Sequence, residues 1–149
     1  MTKLETALTR LLWRELGGTL YEDFPLAIRG RSNLNAPRNL HGLIDKGGRF
    51  EISTRYPGSM VKKDLVVVLA KSKNVGVFST VEALSAIKLV DRHHLPRSIE
   101  GYIVCLQEDE VLRAIINAEY PFLHLKVYDS QDLKPLMYKE DGPGGSVQS

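Results

Sequence analysis

Several features that would assign a chemistry to this chain directly are missing from it. There is one cysteine, Cys105, inside the apolar run GYIVCL, so no disulfide can form within the chain, and a reducing, cytoplasmic setting is expected. No run reaches the roughly 18 apolar residues of a membrane span. The first residues, MTKLETALTR, also lack the apolar core of a signal peptide. We therefore expect a soluble protein with no membrane partner.

Sequence motifs of common catalytic sites are missing as well. The chain has no glycine-rich phosphate loop, no zinc-ligand spacing and no G-x-S-x-G nucleophile elbow. Cys105 lies in an apolar run without a nearby base, which argues against a role as a nucleophile. His93 and His94 are adjacent but come without further ligands. The sequence thus predicts no resident metal or cofactor.

Charge is nearly balanced over the 149 residues, at +2, but it is unevenly distributed. Residues 29–73 hold ten lysines and arginines against three acids, a local charge of +7. Residues 100–141 hold nine acids against four bases, a local charge of −5. This asymmetry predicts one electropositive region and suggests an anionic partner. The alternative is that the charges intermix on the folded surface and cancel.

The first half of the chain predicts a helix, a hairpin and a buried strand. Apolar residues at helical spacing predict a helix over about 3–16, and Thr2 with Glu5 supplies a capping box. A short strand in TLYEDFPLAIRG follows. Two strand-like runs around the turn-forming residues DKGG predict a β-hairpin. The unbroken apolar run Leu65–Ala70 predicts a strand buried on both faces, which ends at Lys71.

The second half alternates helices and strands. Ser79 and Glu82 form a second capping box, which predicts a helix that ends before Pro96. A strand at 101–106, a helix at about 109–119 and a strand at 122–128 follow, and this order favours parallel pairing with right-handed crossovers.

The predicted fold class is therefore α/β. An N-terminal helix precedes a central mixed sheet, in which an antiparallel hairpin feeds parallel βαβ units, and helices flank the sheet. We expect a single domain over residues 1–138 and a disordered tail over residues 139–149, which has no core-forming residues. Ligands of such sheets bind at the carboxyl ends of the parallel strands, where Lys71 is expected.

This order of elements resembles the restriction-endonuclease-like (PD-(D/E)XK) superfamily, in particular the archaeal Holliday-junction resolvases and the RecB-type nuclease domains. The resemblance covers roughly residues 3–128. Its strongest part is the stretch DLVVVLAKSKNVGVFSTVEALSAIKLV followed by IEGYIVCL. In the family, the corresponding strand ends in glutamate-x-lysine, a helix follows, and a further apolar strand comes next.

The resemblance implies a chemistry whose metal ligands are largely replaced in this chain. In the family, an aspartate from the hairpin and the glutamate of the E-x-K strand bind magnesium, while the lysine orients the nucleophile. Lys71 matches that lysine, but Leu69 occupies the glutamate position. The aspartate position falls on Asn39, Leu40 or His41.

The catalytic candidates that remain are Glu5, Glu51 and Lys71. Glu5 matches an additional helical glutamate of resolvase-type members, although it also serves the capping box. Glu51 is the best substitute for a missing acid, because it is expected on the strand that neighbours His41 in the hairpin. Asp45 is a further acid in the predicted turn. Lys71 alternatively marks only the point where a buried strand reaches solvent.

The leading hypothesis is a nucleic-acid-binding protein, for DNA rather than RNA, on a nuclease-like scaffold that has lost metal-dependent catalysis. It would act as a homodimer or beside an active nuclease. One alternative is a magnesium-dependent DNA endonuclease or junction resolvase with a rearranged active site. A second alternative is a protein-interaction scaffold that uses the acidic C-terminal half. The expected nucleic-acid-binding residues are Arg29, Arg31, Arg38, Arg49, Arg55, Lys62, Lys63, Lys71 and Lys73.

Overall fold

The computed structural model describes residues 1–26, 35–52, 59–73, 75–138 and 147–148. Helices and strands follow the predicted order with two differences: the two strands expected around DKGG are one long strand, and a further helix and a short strand lie near the C-terminus. The elements are α1 (Lys3–Leu16), β1 (Thr19–Pro25), β2 (Asn39–Ile52), β3 (Ser59–Lys71), α2 (Val77–His94), β4 (Ser98–Cys105), α3 (Glu110–Glu119), β5 (Leu123–Val127), α4 (Ser130–Tyr138) and β6 (Val147–Gln148).

The strands form one open mixed sheet in the order β5-β4-β3-β2-β1-β6. The pairs β1–β2 and β2–β3 are antiparallel, whereas β3–β4 and β4–β5 are parallel. β3 is therefore the middle strand of β1–β5, and it joins the antiparallel part of the sheet to the parallel part. The predicted α/β architecture with a central mixed sheet is confirmed.

Both faces of β3 carry apolar side chains, and these are buried by helices that cover both faces of the sheet. Val66, Val68 and Ala70 pack in one cluster with residues of α1 and α4. Leu65, Val67 and Leu69 point the other way and pack with residues of α2 and α3. Strict alternation along a strand separates these two sets. Across the described ranges, none of the helices has the length and apolar character needed to cross a membrane.

The hairpin expected around DKGG is wrong, because these residues lie inside the long strand β2. The β2–β3 register shifts between Asp45 and Gly48, which marks a β-bulge. Gly47 takes a positive φ of 99°, and its backbone N–H donates to the Asp45 carboxylate. The link between β2 and β3 comes after Ile52, and residues 53–58 lie outside the described part of the chain.

The helices agree with the sequence to different degrees. The predicted α1 and its capping box are confirmed: the Thr2 hydroxyl accepts from the Glu5 N–H at 3.1 Å, and Glu5 accepts from the Thr2 N–H at 2.8 Å. The second predicted capping box is wrong, because α2 begins at Val77 and Ser79 accepts from the Gly76 N–H. The short helix α4 was not predicted.

The C-terminal tail was expected to be disordered. Residues 139–146 and 149 lie outside the described residues. Val147 and Gln148 pair in parallel with Leu20 and Tyr21 of β1.

Candidate functional site at the end of the central strand

The parallel strands β3, β4 and β5 end side by side. Lys71, the last residue of β3, is paired with Cys105 of β4, which is paired in turn with Val127 of β5. Because β2 runs antiparallel to β3, the start of β2 lies at this same edge, which we call the carboxyl edge. Ligands of open α/β sheets bind at such an edge, so its side chains form the candidate site.

Lys71 is held by an acid from the helix that follows it. Its Nζ atom lies 2.6 Å from Oε1 of Glu82 in α2, and the two side chains are 19% and 17% exposed. The cation at the end of the buried strand is thus a half-buried member of an ion pair. Its ammonium group is turned toward α2 and is compensated there.

His41 closes the β2–β3 ladder with its side chain. The last backbone pair of the ladder is Gly42 with Val68, and the next free N–H, that of Ala70, donates to Nδ1 of His41 at 2.8 Å. A neutral imidazole that accepts at Nδ1 carries its proton on Nε2. That Nε2 atom lies 3.7 Å from Oε2 of Glu5.

The surroundings favour neutral His41 and ionised Glu5. Burial lowers the pKa of His41 below its usual value, the charge of Glu5 opposes this effect, and the charge of Lys71 adds to it. Burial raises the pKa of Glu5, whereas the hydrogen bond from the Thr2 backbone and the charge of the N-terminus lower it, and the net pKa is below its usual value. Protonation of His41 at Nδ1 would also break its bond with Ala70.

A close approach between α1 and β2 brings Glu5 to His41. A Cβ atom on Gly42 would lie 2.7 Å from Cγ2 of Thr9 and 3.0 Å from Cδ1 of Leu20. Thr9 is fully buried, and its hydroxyl donates to the backbone carbonyl of Glu5 at 2.8 Å. Glycine at position 42 therefore lets the first turns of α1 lie directly over the strand that carries His41.

Four ionisable side chains from four elements thus surround the end of β3: Glu5 of α1, His41 of β2, Lys71 of β3 and Glu82 of α2. With neutral His41, two acids against one lysine give the cluster a formal charge of −1. Sequence reasoning found the first three but assigned Glu82 to a helix cap. The available signal was its place in the helix that follows the strand, because such a helix folds back over the strand end.

The positions that the resemblance assigns to metal-binding acids carry no carboxylate. Leu69 is 1% exposed and belongs to the core on the α2 side. Leu40 is fully buried, and the Asn39 amide donates to Asp23 at 2.9 Å. Within the described residues, no three histidine, cysteine, aspartate or glutamate side chains are arranged to hold a metal ion.

The structure places Glu51 and Asp45 away from Lys71, contrary to expectation. Glu51 lies on the same strand as His41 and is paired with Met60, eleven residues before Lys71, which corresponds to about 36 Å along an extended strand. Asp45 is opposite Leu65, about 20 Å from the strand end on the same scale. Asp45 instead binds Lys63 at 2.7 Å.

The expected basic residues do not form one surface among those that the structure describes. Arg38 and Lys73 are exposed near the carboxyl edge, together with half-buried Lys71. Lys62 and Lys63 lie near the other end of β3, roughly 26–30 Å away along the strand, where Arg49 is paired with Lys62. Arg29, Arg31 and Arg55 lie outside the described residues.

Lys62 is also unsuited to contact phosphate, contrary to expectation. It is only 4% exposed, and its ammonium group donates to the backbone carbonyl of Leu95 at 3.3 Å. His93 and His94 line a mainly apolar pocket of about 310 Å³ at the end of α2. The His94 ring packs against Phe24 there, with 5.7 Å between the ring centres.

In comparisons with known proteins, no family model, no curated protein and no solved structure matches the chain.

Proposed function

We propose that the protein binds nucleic acid at its carboxyl edge, on a restriction-endonuclease-like scaffold that has lost metal-dependent catalysis. The observation that carries the proposal is the position of Lys71. It ends the central strand in the succession of a helix, three antiparallel strands, a helix and a parallel strand. In the family that the sequence resembles, this is the position of the lysine that orients the nucleophile beside the phosphate.

Replacement of the metal-binding acids supports binding rather than catalysis. Leu69 has become part of the core, and the Nδ1 atom of His41 is occupied by the Ala70 N–H. A site without these carboxylates repels phosphate less when no metal is bound. The exposed cations Arg38 and Lys73 then supply sequence-independent contacts to the phosphate backbone.

Glu82 sets a condition on this binding. Its carboxylate holds the ammonium of Lys71 at 2.6 Å. A phosphate oxygen and the Glu82 carboxylate are competing acceptors for the same donor. Lys71 therefore contributes to binding only to the extent that phosphate displaces Glu82.

The proposal predicts binding without any metal. The chain should bind labelled DNA oligonucleotides in the presence of EDTA at low salt, and the dissociation constant should rise steeply with salt, to the order of 10⁻⁴–10⁻⁶ M at physiological salt. Fluorescence anisotropy measures this, and an RNA of the same sequence tests the preference for DNA. Failure to bind either nucleic acid at low salt would remove the proposal.

A second function is favoured by one observation, the presence of two carboxylates beside the strand end. Glu5 approaches from α1 on one face of the sheet, and Glu82 approaches from α2 on the other. Magnesium in phosphoryl-transfer sites is commonly held by one or two carboxylates together with water and substrate phosphate. Glu82 would hold such an ion together with water and the substrate phosphate, and the ion would neutralise the phosphate and activate water.

The substitution Glu82→Gln separates the two functions, because one predicts a gain in metal-free binding and the other predicts a loss of metal-dependent cleavage. If the protein only binds, removal of the competing charge should strengthen metal-free DNA binding by roughly 3- to 10-fold. If the protein is a nuclease, cleavage of branched or single-stranded DNA with Mg²⁺ or Mn²⁺ should fall by about 100-fold or more.

The matched control is Asp64→Asn. Asp64 is also an acid in an ion pair, with Arg97 at 2.6 Å, and it lies toward the far end of β3, about 23 Å from Lys71 along the strand. It should change neither binding nor cleavage. Weaker metal-free binding by Glu82→Gln would contradict the competition between Glu82 and phosphate.

A further inference from the structure

The first two turns of α2 expose apolar side chains to solvent. Phe78 is 62% exposed, and Val77 and Val81 are 54% and 37% exposed. Single exposed apolar residues are common in soluble proteins and need no explanation by themselves. The position of these three side chains beside the candidate site is what distinguishes them.

Phe78 and Glu82 are one helical turn apart, at positions i and i+4, so they lie on the same side of α2. The Glu82 carboxylate binds the Lys71 ammonium at 2.6 Å. Lys73 is exposed in the segment between β3 and α2. An exposed aromatic ring thus lies on the same side of α2 as the acid that binds Lys71, and it follows Lys73 by five residues along the chain.

We infer that Phe78 is a stacking platform for an unpaired nucleobase, so that the ligand is a single-stranded nucleic acid or an unpaired strand end. This inference rests on the proposed function. Proteins that bind single strands combine a cationic track for the phosphates with aromatic rings on which bases stack. In a duplex, the bases are stacked on each other and present no free face to such a ring.

The small size of the apolar surface favours a base over a protein partner. A stable protein interface takes about 20–30 residues from each partner. Among the described residues, the surface formed by Val77, Phe78 and Val81 spans little more than one helical turn, whereas one phenyl ring is matched in size by one base. The neighbouring lysines complement the phosphates of the same strand.

Paired binding measurements test the inference. Phe78→Ala should weaken binding of an oligothymidylate of about ten nucleotides by about 5- to 100-fold and leave binding of a duplex of equal length nearly unchanged. The control is Phe122→Ala, which removes another exposed aromatic ring, 39% exposed, from the segment just before β5 at the opposite edge of the sheet. It should alter neither affinity.

A tryptophan at the same position gives a second readout. Phe78→Trp should keep the single-strand affinity, and its emission should be quenched as the oligothymidylate is added. The native Trp13 is fully buried, so it should contribute a constant background.

The remaining outcomes separate this inference from the proposed function. If the unaltered protein binds but Phe78→Ala binds the single strand equally well, stacking is overturned and the proposed function stands. If the unaltered protein binds neither oligonucleotide at low salt, both are overturned. If Phe78→Ala abolishes a self-association seen by sedimentation and leaves single-strand affinity unchanged, the surface is an interface between copies and stacking is overturned.

Discussion

His41 occupies a position where one side chain serves both the sheet and the candidate site. Its Nδ1 atom completes the β2–β3 ladder by accepting from Ala70, and its Nε2 atom faces Glu5. The same hydrogen bond that fixes the ring also fixes the tautomer, so the proton is directed to the acid. The Nδ1 atom of this neutral imidazole accepts a hydrogen bond from the backbone, so it is not free to act as a base.

The lowered pKa of His41 predicts a loss of stability in mild acid. The unfolded chain takes up a proton near the ordinary histidine pKa of about 6.5, whereas the folded chain takes it up only at lower pH. The free energy of unfolding should therefore fall as the pH drops below about 6.5, by up to about 1.4 kcal/mol for each pH unit between the two pKa values.

His41→Asn tests this, because the asparagine oxygen can accept from Ala70 but does not titrate. Burial also lowers the pKa of His94, so both chains are compared in a His94→Asn background. Urea unfolding at pH 7 and pH 5 should show a smaller loss of stability for His41→Asn than for its parent. An equal loss in both chains would contradict a buried, neutral His41.

At the scale of elements, local patterns predicted those structures whose causes are local. The helix α1 follows from its apolar spacing and from the reciprocal bonds of Thr2 and Glu5, all within one segment. The central position of β3 follows from the apolar run Leu65–Ala70, because only a strand covered on both faces needs apolar residues at every position.

The features that sequence reasoning missed depend on register and on packing between elements. Asp45 and Gly47 have the chemistry of a tight turn, but the same carboxylate-to-backbone bond and positive φ stabilise a bulge within a longer strand. Because β2 continues beyond the bulge, Glu51 lies far along the strand from the end at which Lys71 stands. Glu82 belongs to the site because α2 packs back across the end of β3. The resulting contact between Glu82 and Lys71 joins two elements, so no local sequence pattern predicts it.

At the scale of the whole molecule, the positive charges of residues 29–73 that the structure describes do not lie on one face. β2 and β3 are long antiparallel strands, so charges that are close in sequence are carried to both ends of the sheet. Lys63 is about 26 Å from Lys71 along the strand. Its hydrogen bond to Asp45 raises the pKa of Lys63 and keeps its charge compensated.

This separation predicts unequal effects of two otherwise identical substitutions. Lys73→Gln removes an exposed cation at the carboxyl edge and should weaken single-strand binding severalfold, with the slope of log K against log salt reduced by about 0.7. Lys63→Gln removes a compensated cation from the far end and should change neither quantity. Anisotropy titrations across a series of salt concentrations measure both. Equal losses from the two substitutions would mean that the nucleic acid is bound along the whole length of β3, and the carboxyl edge would no longer account for binding.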